Sequence, residues 1–370
     1  MISLETIPSK ADRSFDSRAG RKKHRPRLGF LGVGWIGRNR MEAIAQSGLA
    51  EISAIADASV EMTNQAAAVA PRAVLLGSLE ELLNQDLDGI VIATPSALHA
   101  EQSIAALEAG VAVFCQKPVA RTARETRQVV ESARYANKLL GVDLSYRFVN
   151  GVPQLRDLIK NGALGKIYSV DTVFHNAYGP DKPWFYDARL SGGGCVIDLG
   201  IHLVDLVLWT LGFPKVEAVS SRLFAQGERA ADVSPAESSS LISSPQICQR
   251  DAGSTLVEDF AVAQMDLEDG TTVQLACSWR AHAGCDAVIR ASFYGTKGGI
   301  EFRNVNGSFY DFAVERFSGT KRETIAAPPD VWGGRAAVDW AERLAAGSGY
   351  DPSIEGLIEV AETLDGIYGR

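Results

Sequence analysis

Hydrophobic residues follow two different patterns in the two halves of the chain. From Arg27 to about residue 145, apolar runs such as RLGFLGV, EISAIAD and DGIVIAT alternate with stretches of helical periodicity. The helical stretches lie at 35–47, 59–70, 79–84, 97–109 and 123–137. Two of them begin with a capping box, Ser78 with Glu81 and Thr122 with Glu125, which supplies acceptors to free backbone donors. This alternation predicts a parallel sheet with helices on both faces.

Beyond about residue 150 the strands follow one another more directly. A helix at 152–160, a strand at 166–175 and an aromatic loop at 176–193 lead to a strongly apolar helix at 194–211. Strand patterns then occur at 215–224, 257–267, 271–281, 286–295, 299–304 and 308–315. Strands joined by short turns pair antiparallel, so this part predicts an α+β domain with a largely antiparallel open sheet. Two closing helices are expected at about 335–346 and 353–365.

These patterns divide the chain into three parts. Residues 1–25 are polar and unpatterned, and we expect a disordered tail. Residues 26–145 form the first domain, and residues 146–370 form the second. Within the second domain, 227–255 is rich in Ser, Ala, Glu and Pro without a period, so we expect a mobile insertion there.

Composition narrows the class of protein. The net charge of −8 argues against broad nucleic-acid binding. No apolar run resembles a membrane span, and the first ten residues lack the apolar core of a secretion signal, so neither a membrane nor export is expected. The scattered cysteines contain no C-x-x-C pair and fit a reducing cytoplasm. They are Cys115, Cys195, Cys248, Cys277 and Cys285.

A glycine motif lies where the first strand meets the first helix. The segment Gly32-Val33-Gly34-Trp35-Ile36-Gly37 is a G-x-G-x-x-G. In this context Gly32 permits the tight turn, Gly34 lets a pyrophosphate approach the backbone, and Gly37 lets the helix pack on the strand. The helix start also offers free N–H groups to phosphates. The sequence therefore predicts a dinucleotide-binding, or Rossmann, domain.

The cofactor expected in this domain is NAD rather than NADP. Asp57 ends the second strand, 20 residues beyond Gly37, where an acid reaches the adenosine ribose hydroxyls. Its carboxylate would repel a 2′-phosphate. Arg38, in the first helical turn, could instead meet a phosphate, although a surface role is the favoured interpretation.

Two further strand ends carry polar residues, and ligands bind at the carboxyl ends of parallel strands. The first is Thr94-Pro95-Ser96, with His99 on the next turn, and the second is Cys115-Gln116-Lys117-Pro118. A lysine beside a nicotinamide could stabilise developing charge on a substrate oxygen. A solvated surface lysine is the alternative.

The apolar helix at 194–211 carries one polar stripe. Asp198, His202 and Asp205 fall at i, i+4 and i+7, so they share a face in an α-helix. Buried ionisable groups are costly unless paired. We interpret His202 as a general base that Asp198 orients, with an internal pair that merely satisfies itself as the alternative. Asp205 is assigned a structural role, and Gly192-Gly193-Gly194 is expected to allow a ligand to approach the backbone.

Taken together, these residues resemble the glucose–fructose oxidoreductase / inositol dehydrogenase / rhizopine catabolism (Gfo/Idh/MocA) family. The matching elements run in family order over about residues 26–365. They are GVGWIG at 32–37, Asp57, TPSALH at 94–99, QKP at 116–118, YRF at 146–148 and GGGCVIDLGIH at 192–202. The resemblance assigns the family's catalytic residues to Lys117, Asp198 and His202, and it places Arg147 near cofactor and substrate.

The resemblance implies a dehydrogenase that uses NAD or NADP on a sugar, cyclitol or related polyol. It implies homodimers or homotetramers formed through the exposed sheet face and a cis peptide before Pro118. No metal is expected, because the sequence has no metal-ligand spacing and hydride transfer needs none. Gln116 departs from the family's glutamate, which bears on cofactor affinity. An NAD-dependent hydrolase and a ligand-sensing regulator without turnover are the alternatives. The cofactor-binding residues expected are Gly32, Gly34, Trp35, Ile36, Gly37, Asp57, Thr94, Pro95, Ser96, His99, Gln116, Lys117 and Arg147.

Overall fold

The computed structural model describes residues 25–229, 249–250, 254–255 and 257–370. The expected disordered tail and most of the expected mobile insertion lie outside these residues. The described residues form two large sheets, one parallel and one mostly antiparallel, as the sequence predicts.

The first sheet has six parallel strands in the order β3-β2-β1-β4-β5-β6. The strands are β1 Arg27–Leu31, β2 Glu51–Ala56, β3 Val74–Leu76, β4 Gly89–Ile92, β5 Ala112–Cys115 and β6 Leu140–Val142. Its helices are α1 Trp35–Ser47, α2 Val60–Ala67, α3 Leu79–Leu83, α4 Ser96–Glu108 and α5 Ala123–Ala136. Strand β3 was not predicted, because it is short and mostly exposed and so carries no buried-strand pattern.

The second sheet has nine strands in the order β17-β16-β15-β14-β7-β13-β12-β8-β9. All neighbours pair antiparallel except β7 and β13, which are parallel. The strands are β7 Ile167–Asn176, β8 Val216–Ala225, β9 Glu228–Arg229, β12 Phe260–Leu267, β13 Thr272–Ser278, β14 Ala287–Gly295, β15 Gly298–Asn304, β16 Phe312–Ser318 and β17 Lys321–Ala326. A separate pair of short strands consists of β10 Gln249–Arg250 and β11 Ser254–Thr255.

Helices cover one face of this sheet, namely α6 Val152–Lys160, α7 Ala188–Ser191, α8 Ile201–Leu211 and α10 Gly356–Tyr368. Helix α9 Arg335–Ala345 packs on the first sheet instead. Single turns of 3-10 helix occur at Ser145–Phe148, Pro183–Tyr186 and Pro352–Glu355.

The predicted apolar helix at 194–211 is divided. A π-helical segment, Val196–Gly200, precedes α8. Contrary to the expectation from sequence, the run Ala188–Leu211 is long and apolar enough to pass as a membrane span, but 78% of its most apolar window is buried inside the protein. The run is therefore the core helix of the second domain, and its length and composition are weak grounds for a membrane.

Helix α9 returns to the first sheet. Trp340, almost fully buried, packs against Phe114 with ring centroids 5.8 Å apart. A Cβ on Gly89 would lie 2.7 Å from the Trp340 ring, and one on Gly141 would lie 2.8 Å from it. The two strands thus leave a glycine-lined slot that the indole fills, and this contact packs α9 on the first sheet.

Candidate active site

The glycine loop forms an open cradle at the start of α1. A Cβ on Gly32 would lie 2.7 Å from the Ala93 carbonyl, and one on Gly37 would lie 2.1 Å from the Gly32 oxygen. A Cβ on Gly34, in contrast, would meet nothing within 4 Å. No side chain caps α1, so its first N–H groups are available to an anion. The tight turn and helix contact expected of Gly32 and Gly37 are confirmed, and the space at Gly34 fits a pyrophosphate.

The Asp57 carboxylate is fixed beside this cradle. Its Oδ2 accepts the Val33 backbone N–H at 2.8 Å, and its Oδ1 accepts that of Ser59 at 2.8 Å. Nearby, Trp35 is 65% exposed, and Arg38 donates to the Gln65 side chain at 2.5 Å on the surface. The carboxylate therefore has one orientation, while Arg38 is engaged with a neighbouring helix.

His99 lies between the two polar strand ends, contacting Thr94 of one and Pro118 of the other. It is buried, with Nδ1 2.7 Å from the Pro118 oxygen and Nε2 2.6 Å from the Thr94 oxygen. Burial lowers the pKa of His99. Ser96 is also buried at the start of α4, and the Thr94 hydroxyl donates to Gln102 at 2.6 Å. Both partners are acceptors and a neutral imidazole has one N–H, so His99 lies between the two loops and donates to one of the two oxygens at a time. Its contact with a cofactor stays a prediction.

Gln116 belongs to a buried polar cluster that sequence reasoning missed. The Gln116 amide donates to Asp143 Oδ2 at 2.5 Å, and Arg40 Nε donates to the same oxygen at 2.5 Å. The Ser145 hydroxyl donates to Asp143 Oδ1. Asp143 directly follows β6, so its position at the carboxyl end of a parallel strand was the signal that could have identified it.

Lys117 and Asp198 form an ion pair between the two domains. The Lys117 ammonium donates to Asp198 Oδ1 at 2.8 Å and to the Asp198 backbone oxygen at 2.6 Å. The side chains are only 17% and 15% exposed. Asp198 Oδ2 accepts the Trp279 indole N–H at 3.0 Å. The peptide between Lys117 and Pro118 is cis, as the family resemblance implies.

The expected hydrogen bond between Asp198 and His202 is absent from the described structure. Both Asp198 oxygens are occupied by other donors, and the shielded Nδ1 of His202 has no hydrogen-bond partner. The π-helical segment explains the difference, because it changes the angle between positions that an α-helix would align. The His202 ring instead lies against Tyr146, with centroids 5.0 Å apart.

Burial, followed by the charges of Lys117 and Arg40, holds the pKa of His202 well below its usual 6.5. A neutral imidazole with an unsatisfied nitrogen can accept a hydrogen bond or a proton. Burial also raises the pKa of Tyr146, and the Asp198 charge adds to this effect. The site thus brings together an ammonium, a neutral imidazole and a fixed carboxylate.

Arg147 forms an ion pair with Asp205, the third residue of the polar stripe. Its guanidinium donates to both Asp205 oxygens and lies 5.4 Å from the Trp209 ring centroid. Burial raises the pKa of Asp205 while the arginine opposes that shift. This pairing accounts for Asp205, whereas a contact between Arg147 and a cofactor stays a prediction.

The three glycines before the π-helix face the protein rather than an open site. A Cβ on Gly193 would lie 2.1 Å from the Tyr368 hydroxyl, and one on Gly194 would lie 1.8 Å from the Glu258 backbone oxygen. Glu258 is buried and accepts the backbone N–H groups of Gly194 and Val196. The interpretation of these glycines as a ligand approach was therefore wrong: they admit internal contacts that fix the start of the π-helical segment.

Two family models match the chain. The oxidoreductase family with an NAD-binding Rossmann fold matches residues 27–144, and the GFO/IDH/MocA C-terminal domain matches residues 152–301. D-glucoside 3-dehydrogenase of Escherichia coli (strain K12) is 30% identical over 266 residues, which are 71% of this chain and 70% of the relative. Inositol 2-dehydrogenase of Acidiphilium cryptum (strain JF-5) is 32% identical over 197 residues, 52% of this chain and 56% of the relative.

The fold is also found in solved structures. Levoglucosan dehydrogenase, in complex with NADH and levoglucosan, matches 93% of this chain and 96% of its own with a TM-score of 0.73. Its sequence identity is 22%, so this likeness concerns the fold alone.

Exchanging the amide of Gln116 and the carboxylate of Asp143 tests whether the buried polar cluster around Gln116 depends on holding a single carboxylate. Gln116→Glu would replace a donor by a second carboxylate beside Asp143, which removes a hydrogen bond and adds repulsion. We expect a loss of about 1–3 kcal/mol in unfolding free energy, measured by urea denaturation. The double variant Gln116→Glu/Asp143→Asn exchanges the two groups and should recover most of that loss. A Gln116→Glu protein as stable as wild type would contradict the inference that the cluster depends on a single carboxylate.

Proposed function

Because the chain belongs to the Gfo/Idh/MocA oxidoreductase family, we propose that it is an NAD-dependent dehydrogenase of sugars, cyclitols or related polyols. It transfers a hydride between a secondary alcohol and nicotinamide. The observation that carries this proposal is that the Lys117–Asp198 ion pair lies near His202, close enough for the lysine charge to help keep the pKa of this histidine low. The named substrates of the relatives, a glucoside and inositol, supply the substrate class.

The cofactor site fits a dinucleotide. The open space at Gly34 and the uncapped start of α1 would hold the pyrophosphate, and the fixed Asp57 carboxylate would accept hydrogen bonds from the adenosine ribose hydroxyls. The same carboxylate opposes a 2′-phosphate, which favours NAD. Thr94, Pro95, Ser96 and Gln116, at the carboxyl ends of β4 and β5, would contact the cofactor between this cradle and Lys117. When bound, the nicotinamide supplies the hydride acceptor.

Each reacting group of the protein has one task. Lys117 donates a hydrogen bond to the substrate oxygen and stabilises its developing negative charge. His202 accepts the hydroxyl proton as the C–O bond becomes a carbonyl and the carbon gives up its hydride. Asp198 holds the ammonium in place through both its carboxylate and its backbone oxygen. The reverse reaction returns the proton from His202 to the carbonyl oxygen.

We extend the proposal to the setting of the enzyme. The Cys195 and Cys277 thiols lie 3.9 Å apart and unbridged, which suits a reducing cytoplasm. Large side chains are exposed on the strands of the second sheet, away from its helices, which suits a homodimer or homotetramer formed there. They are Tyr168, Phe260, Val262 and Tyr294. The relatives reported above are dehydrogenases, so none of them favours the hydrolase or the regulator.

A panel of polyols, glucosides and inositols assayed with NAD and NADP tests the function. We expect at least one compound to reduce NAD, followed by absorbance, with kcat/KM at least about tenfold higher than with NADP because of Asp57. Equal or better use of NADP would contradict the role of Asp57. Cleavage of a glycoside without net reduction of NAD would contradict the dehydrogenase itself.

The proton acceptor is tested by replacing His202 and varying pH. His202→Ala and His202→Asn should each lower kcat by about 10²–10⁴, while NAD affinity stays within a few-fold because NAD binds at the glycine loop. The pKa of His202 is lowered, so its base form persists below pH 6.5, and wild-type kcat/KM should fall only below that pH.

His175→Ala is the matched control. This half-buried histidine also has a pKa lowered by burial, but its Nδ1 lies 2.7 Å from the Ser278 hydroxyl rather than in the site. The His175→Ala substitution should leave kcat and the fall of kcat/KM at low pH unchanged. A His202→Ala enzyme within a few-fold of wild type would transfer the role of base to Lys117.

A further inference from the structure

The orientation of the Asp198 carboxylate is set by two donors from distant parts of the chain. Lys117 Nζ, 81 residues away, donates to Oδ1 at 2.8 Å, and Trp279 Nε1, also 81 residues away, donates to Oδ2 at 3.0 Å. A carboxylate that accepts hydrogen bonds on both oxygens cannot turn without breaking one of them. The unpaired His202 nitrogen shows the result, since Asp198 faces the lysine instead.

Trp279 is itself firmly held. It directly follows β13, is 3% exposed, and its backbone N–H donates to the Asp259 oxygen at 2.8 Å. The indole N–H is its single polar side-chain group, and burial of such a donor is favourable only with a partner. The hydrogen bond to Asp198 therefore satisfies the indole and fixes the carboxylate at the same time.

The indole also contacts the aromatic loop. Its ring meets Tyr186 nearly edge-on with centroids 5.5 Å apart, and it meets Phe185 at 6.4 Å with an angle of 85°. Both rings lie in the 3-10 turn Pro183–Tyr186, which precedes α7 in the loop between β7 and the π-helical segment. One side chain thus connects this loop to the carboxylate that holds Lys117.

We propose that Trp279 is a positioning residue for hydride transfer, in that its indole N–H holds the Asp198 carboxylate toward Lys117 and away from His202. This inference rests on the proposed dehydrogenase function and deepens it. Without the indole donor, Asp198 Oδ2 is free to rotate toward the unsatisfied His202 nitrogen. Lys117 then loses its fixed partner, because the Asp198 carboxylate pairs with the imidazole and no longer holds the ammonium in place.

Trp279→Phe tests the kinetic consequence, because it keeps an aromatic ring and removes the N–H. We expect kcat to fall by about 10-fold to 100-fold, the range for losing a hydrogen bond to a charged group. The KM for NAD and its dissociation constant should stay within about twofold, since the glycine loop is untouched. A fall in kcat that is matched by loss of NAD binding would overturn the proposal.

Trp340→Phe is the matched control. Trp340 is equally buried, but its indole nitrogen has no hydrogen-bond partner in the described structure. The substitution removes the same atoms far from Asp198, so it should lower thermal stability and leave kcat within about twofold. If both variants lower kcat to the same extent, the effect of Trp279 is one of packing, and the proposal is wrong.

A double-mutant cycle separates positioning through Asp198 from other effects. In an Asp198→Asn background, Trp279→Phe should change kcat by less than about threefold, because the carboxylate that it positions is already gone. Independent, multiplicative losses in the two variants would overturn the proposal. Rescue of part of the Trp279→Phe loss by Trp279→His, which restores a ring N–H, would support it.

NMR of the indole nitrogens tests the hydrogen bond between Trp279 and Asp198 independently of turnover. With ¹⁵N-labelled tryptophan, the Trp279 N–H resonance, assigned by its loss in Trp279→Phe, should move in Asp198→Asn while that of Trp340 stays in place. An unmoved Trp279 resonance would overturn the positioning role. A wild-type enzyme without activity on the polyol panel would instead count against the proposed function, so the two failures are distinguishable.

Discussion

The ion pair between Lys117 and Asp198 is the constraint on which the rest of the site depends. It joins the loop after β5 of the parallel sheet to the π-helical segment of the other domain. Both side chains are mostly withdrawn from water, and such charges are tolerated only when they are paired and hydrogen-bonded. The pair therefore links the parallel-sheet domain to the π-helical segment that precedes α8.

The surrounding elements can be understood as supports for this pair. Glu258 and the adjoining glycines fix the start of the π-helical segment, and His99 lies between the Pro118 loop and the Thr94 loop. Trp279 donates to Asp198 Oδ2, the carboxylate oxygen that Lys117 does not contact. Burial and the charges of Lys117 and Arg40 keep the pKa of His202 low, and its shielded Nδ1 has no partner in the described structure, where both Asp198 oxygens accept from other donors. The division of tasks that we propose for lysine and histidine rests on that arrangement.

Features that depend on short stretches of chain could be predicted from sequence. The glycine loop, Asp57 and the alternation of strands and helices are local patterns, and the structure has them where expected. The sequence singled out Lys117 through the strand-end rule and Asp198 with His202 through the polar stripe, and the family resemblance joined the three in one site. It could not assign partners within that group, because the i, i+4 rule holds only for a regular α-helix and a π turn intervenes.

Contacts between distant segments account for the other differences. Asp143 acts on distant residues, although its position directly after β6 could have identified it. Trp279 and Trp340 also contact residues far away in sequence, and no period or spacing marks them. The same holds for the glycines at 192–194, whose need arises from Glu258 and Tyr368 rather than from a ligand. Sequence indicates that these positions are small or buried, whereas only the fold identifies what they face.

The most direct test of this account is the single-turnover rate of NAD reduction by an Asp198→Asn enzyme, measured by stopped flow at saturating NAD. If the Asp198 carboxylate keeps the Lys117 ammonium in place during hydride transfer, that rate should fall by at least about 10², with the NAD dissociation constant within a few-fold of wild type. A rate within a few-fold of wild type would contradict it, since the ion pair would then be only a tether between the domains.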